Sequence, residues 1–318
     1  SSLEILYTGL LSFGFPCYRY NIYRHAYHGK RRGDLELNVD ENRELSRQIG
    51  IYGIFRTIFL KRLESSLFSI SLSVNSYERK LLDFKEKLNQ FNKIVSVKNL
   101  SKLNKAIDAY NEESAEEDEL DFNIEDFEDQ DEEFTSIVAD EGIFNVDQLK
   151  VDIDKDLSII AILKSQLELL IQKDHKIKVL ADKLDDNEEN KVLIFTYFAD
   201  TLLYLKEHLP PLLRKNKNVE FALGTKTEIE SYAKRFAPIS KKYELKNGEK
   251  EIDFLIATDK LSEGQNLQDC GIIVNYDLHW NTVRMIQRNG RINRLGSQHK
   301  EIIIYNFRPT EQLENYLQ

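Results

Sequence analysis

The chain has 318 residues, of which 41% are hydrophobic, enough for a sizeable core and for two structural units. It holds no apolar run of about 18 residues and no signal-peptide pattern, which argues against a membrane span or secretion. Its two cysteines, Cys17 and Cys270, are too far apart in sequence to point to a disulfide scaffold or a zinc site, so a reducing, cytoplasmic setting is expected.

Residues 1–43 read as an aromatic, irregular segment, the end of a first lobe or a linker, with the basic patch HGKRRGD at 28–34. Gly29-Lys30 is not a phosphate-binding loop: no glycine stands five residues earlier, and Arg31 follows where Ser or Thr is needed. His25 and His28 lack carboxylate or cysteine partners at ligand spacing, so no metal site is expected. Residues 44–190 read as a helical insertion region. Leu45, Ile49, Tyr52, Phe55, Phe59 and Leu63 recur at threes and fours, and Tyr77, Leu81, Phe84 and Leu88 continue the pattern.

Within that region, residues 112–133 (EESAEEDELDFNIEDFEDQDEE) hold fourteen acids and no Lys or Arg. The formal net charge is −10, yet the rest of the chain carries +4 once this block is set aside. The block reads as a disordered or weakly ordered insertion. Its Phe122, Ile124 and Phe127 leave open a docking segment for a protein partner, or a mimic of nucleic acid. Residues 156–184 then read as one further helix.

From Lys191 to the C-terminus the pattern changes. KVLIFTYF, VEFAL, DFLIAT, GIIVNYD and EIIIYNF are short apolar runs separated by helical stretches, the pattern of a parallel sheet with helices on both faces. Thr196, Tyr197, Thr258, Asp259 and Asp277 fall at the carboxyl ends of these strands, where such sheets bind ligands. Further on, Arg284, Arg288, Arg291 and Arg294 lie within eleven residues, and no acid occurs from Asn281 to Lys300. Like charges three and four apart on a helix repel, and Arg284, Gln287, Arg288 and Arg291 share one side. Such a stripe calls for an anion.

KVLIFTYF, TDKLSEGQNLQ and QRNGRINRLG closely resemble the fourth, fifth and sixth motifs of superfamily-two helicases, in particular the Swi/Snf-related ATPases of bacterial type. The fold implied for 191–318 is the C-terminal RecA-like lobe, and KRLESS (61–66) and its flanking helices resemble the helical insertions of this group. The resemblance implies ATP and Mg2+ as cofactors. It makes Arg291 and Arg294 arginine fingers on the γ-phosphate and places Gly264, Gln287 and Gly290 near the nucleotide. Thr196, Thr258, Ser262 and Asn266 would grip a nucleic-acid backbone, with double-stranded DNA favoured. Arg284 and Arg288 divide evenly between ion pairs across a lobe interface and contact with nucleotide or nucleic acid. Trp280 packs where strand turns to helix, or stacks on a base. The family's phosphate-binding loop and Asp-Glu pair do not occur, so this chain alone is expected to be inactive and to need a first lobe. That lobe would precede residue 1 in a longer parent or belong to another chain. Two alternatives stay open: a protein-interaction module on a helicase-like scaffold, and an RNA helicase lobe.

Overall fold

A computed structural model describes residues 2–27, 39–97, 134–261, 265–279, 282–293, 297 and 299–309. The chain divides into two compact units, Ser1–Leu63 with Ile70–Ile171, and Glu64–Ser69 with Gln172–Gln318. The second unit therefore begins at Gln172 rather than at 191, and it takes in a six-residue corner from the helical region.

In the first unit, residues expected to be irregular open with helix α1 (Ser2–Ser12), which buries Leu6, Tyr7 and Leu10. Its partner is α4 (Val146–Ile171). Gly9 permits the close approach, since a Cβ there would lie 2.7 Å from Leu163 Cδ2. Helices α2 (Val39–Ser65) and α3 (Leu67–Phe91) follow. Phe13, Phe15, Phe55, Phe59 and Tyr77 form an aromatic core with ring centroids 4.9–6.2 Å apart. Asp156 is buried beside it, and its carboxylate accepts from the backbone N–H of Gly14 and Phe15 and from the Tyr77 hydroxyl at 2.6–3.0 Å. Those donors satisfy a charge that would otherwise be costly to bury. Helices were expected to flank the acidic block; instead β1 (Lys93–Val97) and β2 (Phe134–Val138) bracket it as an antiparallel ribbon. The block itself, with Phe122, Ile124 and Phe127, lies outside the described residues, as does HGKRRGD.

The helix expected over 156–184 is two. The second opens at Asp174, whose carboxylate accepts from Lys176 N (2.8 Å) and Ile177 N (3.4 Å) and caps α5 (His175–Asp186). A short acceptor side chain at an N-cap satisfies the first free amides of a helix and so favours a fresh start.

The rest of the second unit is a five-stranded, wholly parallel sheet in the order β4-β5-β3-β6-β7. Its strands are β3 (Val192–Phe195), β4 (Val219–Ala222), β5 (Phe254–Ala257), β6 (Ile272–Asn275) and β7 (Ile303–Asn306). They alternate with α6 (Ala199–His208), α7 (Lys226–Phe236), the single turn α8 (Pro238–Lys241) and α9 (Thr282–Asn289). Residues of the central strands alternate between two cores. Val192, Ile194, Phe254, Ile256, Ile272 and Val274 pack with α5 and α6. Leu193, Phe195, Leu255, Ala257 and Ile273 pack with α7 and with Ile292, just beyond α9. This is the RecA-like α/β fold. At the edge, β7 keeps Ile303 and Ile304 exposed, so its apolar run is not covered on both faces as the central strands are.

The connection leaving β3 runs through α6 on one face, and the one leaving β6 runs through α9 and Ile292 on the other. Between β3 and β6 the chain therefore reverses its direction of travel across the sheet. That is the place where doubly wound sheets open a crevice at their carboxyl ends.

Candidate functional site

Two of the residues placed at the strand ends by sequence, Asp259 and Asp277, meet one guanidinium. Arg288, on α9, is fully buried and meets Asp259 side by side, Nε to Oδ1 at 2.6 Å and Nη2 to Oδ2 at 2.7 Å. Its Nη1 donates to the carbonyl of Asp277 (3.1 Å), and its guanidinium carbon lies 5.3 Å from the centroid of the Phe195 ring. A planar fork matched to a carboxylate is the strongest form of such a pair. The two roles expected for Arg288 are thus replaced by a third: its partner is the fifth-motif acid of its own lobe. Arg284 is also buried, and its Nη1 lies 3.5 Å from Gln287 Oε1.

Arg291 is held through its backbone. Its N–H donates to the Arg288 carbonyl, and its own carbonyl accepts from Leu267 N–H, both at 3.1 Å. The next residue, Ile292, is fully buried in the sheet core. Gly290 ends α9, donating to the Ile286 carbonyl at 2.8 Å. A side chain there would press on that same carbonyl, 3.2 Å from an added Cβ.

The fifth-motif segment is fixed at several points. Asp259 is held by Arg288, and Leu267 by the Arg291 carbonyl. Asp269 accepts from Ile239 N and Ser240 N at 2.8 Å each, capping α8, while Lys241 Nζ reaches Gln265 Oε1. Thr258, Asn266 and Gln287 are half-buried along this side of the lobe. Ser262, Gly264, Trp280 and Arg294 lie outside the described residues.

Thr196 differs from its expected role as a phosphate contact. It is fully buried, and its hydroxyl donates to Asp277 Oδ2 at 2.7 Å. The carboxylate, buried in the crevice at the strand ends, claims the one hydrogen that a phosphate would need. Asp277 Oδ1 accepts from Tyr197 N at 2.7 Å.

The remaining members of this cluster, Ser65, Ser66, Thr201 and Lys176, carry no motif in the sequence. Ser65 Oγ donates to Asp277 Oδ2 at 2.6 Å and lies 2.7 Å from Thr201 Oγ1, which is 2.9 Å from Ser66 Oγ. Lys176 Nζ donates to the carbonyls of Glu64 and Ser65 at 2.6 and 2.8 Å and sits 4.2 Å from the centroid of the Tyr276 ring. Burial lowers its pKa from 10.5 to about 8, against the opposing pull of Asp277, Glu64 and Asp174. The available signal was Glu64-Ser65-Ser66 itself, two small hydroxyls interrupting an apolar helical pattern.

Residues 175–296 match the family model of the helicase conserved C-terminal domain. Over 169 residues the chain is 35% identical to the uncharacterized ATP-dependent helicase YqhH of Bacillus subtilis (strain 168), covering 52% of this chain and 26% of that protein. The chain thus spans about a quarter of that relative's length. Among solved structures, the C-terminal part of the Fun30 ATPase domain aligns with 100% of this chain and 85% of its own, at 14% identity and a TM-score of 0.38. The Pyrococcus furiosus Hef helicase domain aligns with 87% of this chain and 42% of its own, at 15% identity and a TM-score of 0.37. The second unit is a RecA-like lobe with its polar residues gathered at the strand ends. It carries a helicase conserved C-terminal domain, and the chain is homologous to an ATP-dependent helicase.

Proposed function

We propose that the second unit is the C-terminal motor lobe of an ATP-dependent, DNA-stimulated helicase-like translocase. In this reading Arg291 and Arg294 are arginine fingers for a triphosphate held by a first RecA-like lobe. A phosphoryl group in transfer spreads charge over its oxygens, and positioned cations stabilise that charge. The observation that carries the reading is the pinning of Arg291. Its amide is tied to Arg288, whose side chain is locked on Asp259, its carbonyl is tied to the fifth-motif loop, and Ile292 anchors the following residue in the core. A finger fixed at its backbone can deliver its guanidinium with little reorganisation.

Gln287, Gly290 and Gly264 fall beside the nucleotide in this arrangement. Thr258, Ser262 and Asn266 face the nucleic-acid backbone, and Thr196 leaves that set because its hydroxyl serves Asp277. Mg2+ is assigned mainly to the first lobe in this reading. Apart from a first lobe, the chain is expected to hydrolyse no ATP.

Binding of short DNA and RNA duplexes to this chain over a salt series tests the nucleic-acid half of the proposal. The expected result is a preference for DNA, an affinity that falls steeply with salt, and weaker binding after Thr258→Ala or Asn266→Ala. Tighter binding to RNA, or binding indifferent to both substitutions, would overturn it.

A further inference from the structure

The crevice between β3 and β6 is occupied by the chain's own corner, Glu64–Ser69, through a hydrogen-bonded chain whose direction can be derived. The Asp277 carboxylate has no hydrogen to give, so Ser65 donates to it. Having committed its single hydrogen, Ser65 must accept from Thr201, and Thr201 in turn from Ser66. Ser66 Oγ accepts from Ser69 N–H at 3.0 Å. Ser65, Ser66, Thr201, Thr196 and Asp277 are all at most 3% exposed, so no bulk water competes for these bonds. From Asp277 the path continues: its carbonyl accepts from Arg288, and the Arg288 carbonyl accepts from Arg291 N–H.

We propose that Ser65 is a positioning residue for Arg291. By donating a hydrogen bond to Asp277 Oδ2, Ser65 together with Thr196 fixes the height of residue 277 at the end of β6. Residue 277 fixes Arg288, and Arg288 sets the turn that presents Arg291. The corner contributed by the helical region is therefore a strut of the arginine site, seated where related sheet architectures would seat a ligand. The inference rests on the reading of Arg291 as a phosphate-facing side chain.

Amide hydrogen exchange on the 318-residue chain, without nucleotide, tests the strut separately from the finger chemistry. The amides of Arg291 and Leu267 report the arginine turn. Those of Leu209 and Ala237, bonded within other parts of the lobe, serve as references. Ser65→Ala and Thr196→Val each remove one donor to Asp277 Oδ2. Both are expected to speed exchange at Arg291 and Leu267 about tenfold relative to the references, as a local opening does. Thr201→Val leaves the Ser65–Asp277 bond in place and is expected to leave the two amides unchanged. If Ser65→Ala unfolds the lobe, Thr196→Val carries the comparison. Unchanged exchange at Arg291 and Leu267, a uniform rise at all four amides in Thr196→Val, or an equal response to Thr201→Val would each overturn the proposal.

Discussion

The guanidinium of Arg288 has no exposed surface, and two carboxylates, Asp259 at 2.6–2.7 Å and Asp277 at 4.0 Å, compensate the charge it keeps there. Breaking such a pair from one side leaves a buried charge without its partner, a far larger loss than for a surface pair. Asp259→Ala is accordingly expected to destabilise the second unit by about 3 kcal/mol in denaturant unfolding, and a loss below about 1 kcal/mol would place the pair with ordinary surface ion pairs. Residue chemistry was only partly legible in the sequence. The absence of acids around the four arginines was plain, but it misdirected: the partners of Arg288 lie 29 and 11 residues back along the chain, and only the sheet brings them together. Thr196 was placed correctly at a strand end, yet its neighbour in space, Ser65, belongs to a segment more than a hundred residues away.

At the scale of elements, the sheet strands were legible because their apolar runs are continuous and bounded by turns. All five runs contain the observed strands. Helix ends were less so. The break at Asp174 and the corner at Ser66 depend on side chains satisfying free backbone groups, which apolar periodicity does not encode. At the C-terminal end of α2, the carbonyls of Glu64 and Ser65 are satisfied by the Lys176 ammonium, a cation at the negative end of the helix. Burial lowers the Lys176 pKa to about 8, so between that value and its ordinary 10.5 the unfolded chain holds a proton that the folded chain has released. Over that window stability contributed by this site rises with pH. Comparing wild type with Lys176→Met cancels the groups common to both, including Cys270, whose thiol burial pushes up to about 12. The stability difference is expected to shift in favour of the wild type from pH 8 towards 10.5. A difference that stays flat across this range would contradict the assignment.

For the whole molecule, the average charge is a poor guide. The −10 of the chain arises from one acidic block of fourteen carboxylates, and the remainder carries +4. The RecA-like architecture of the second unit was readable from the motif order, whereas its inclusion of Glu64–Ser69 was not, because the corner is remote in sequence and carries no motif of its own. In the proposed function, Arg291 faces a γ-phosphate when this lobe meets a first lobe. The most direct test is the steady-state ATPase rate of a protein joining the two lobes, with and without duplex DNA, for wild type and Arg291→Ala. DNA is expected to stimulate the wild type, and the variant is expected still to bind ATP but to lose at least about a thousandfold in rate. An Arg291→Ala enzyme that hydrolyses ATP at the wild-type rate would contradict it.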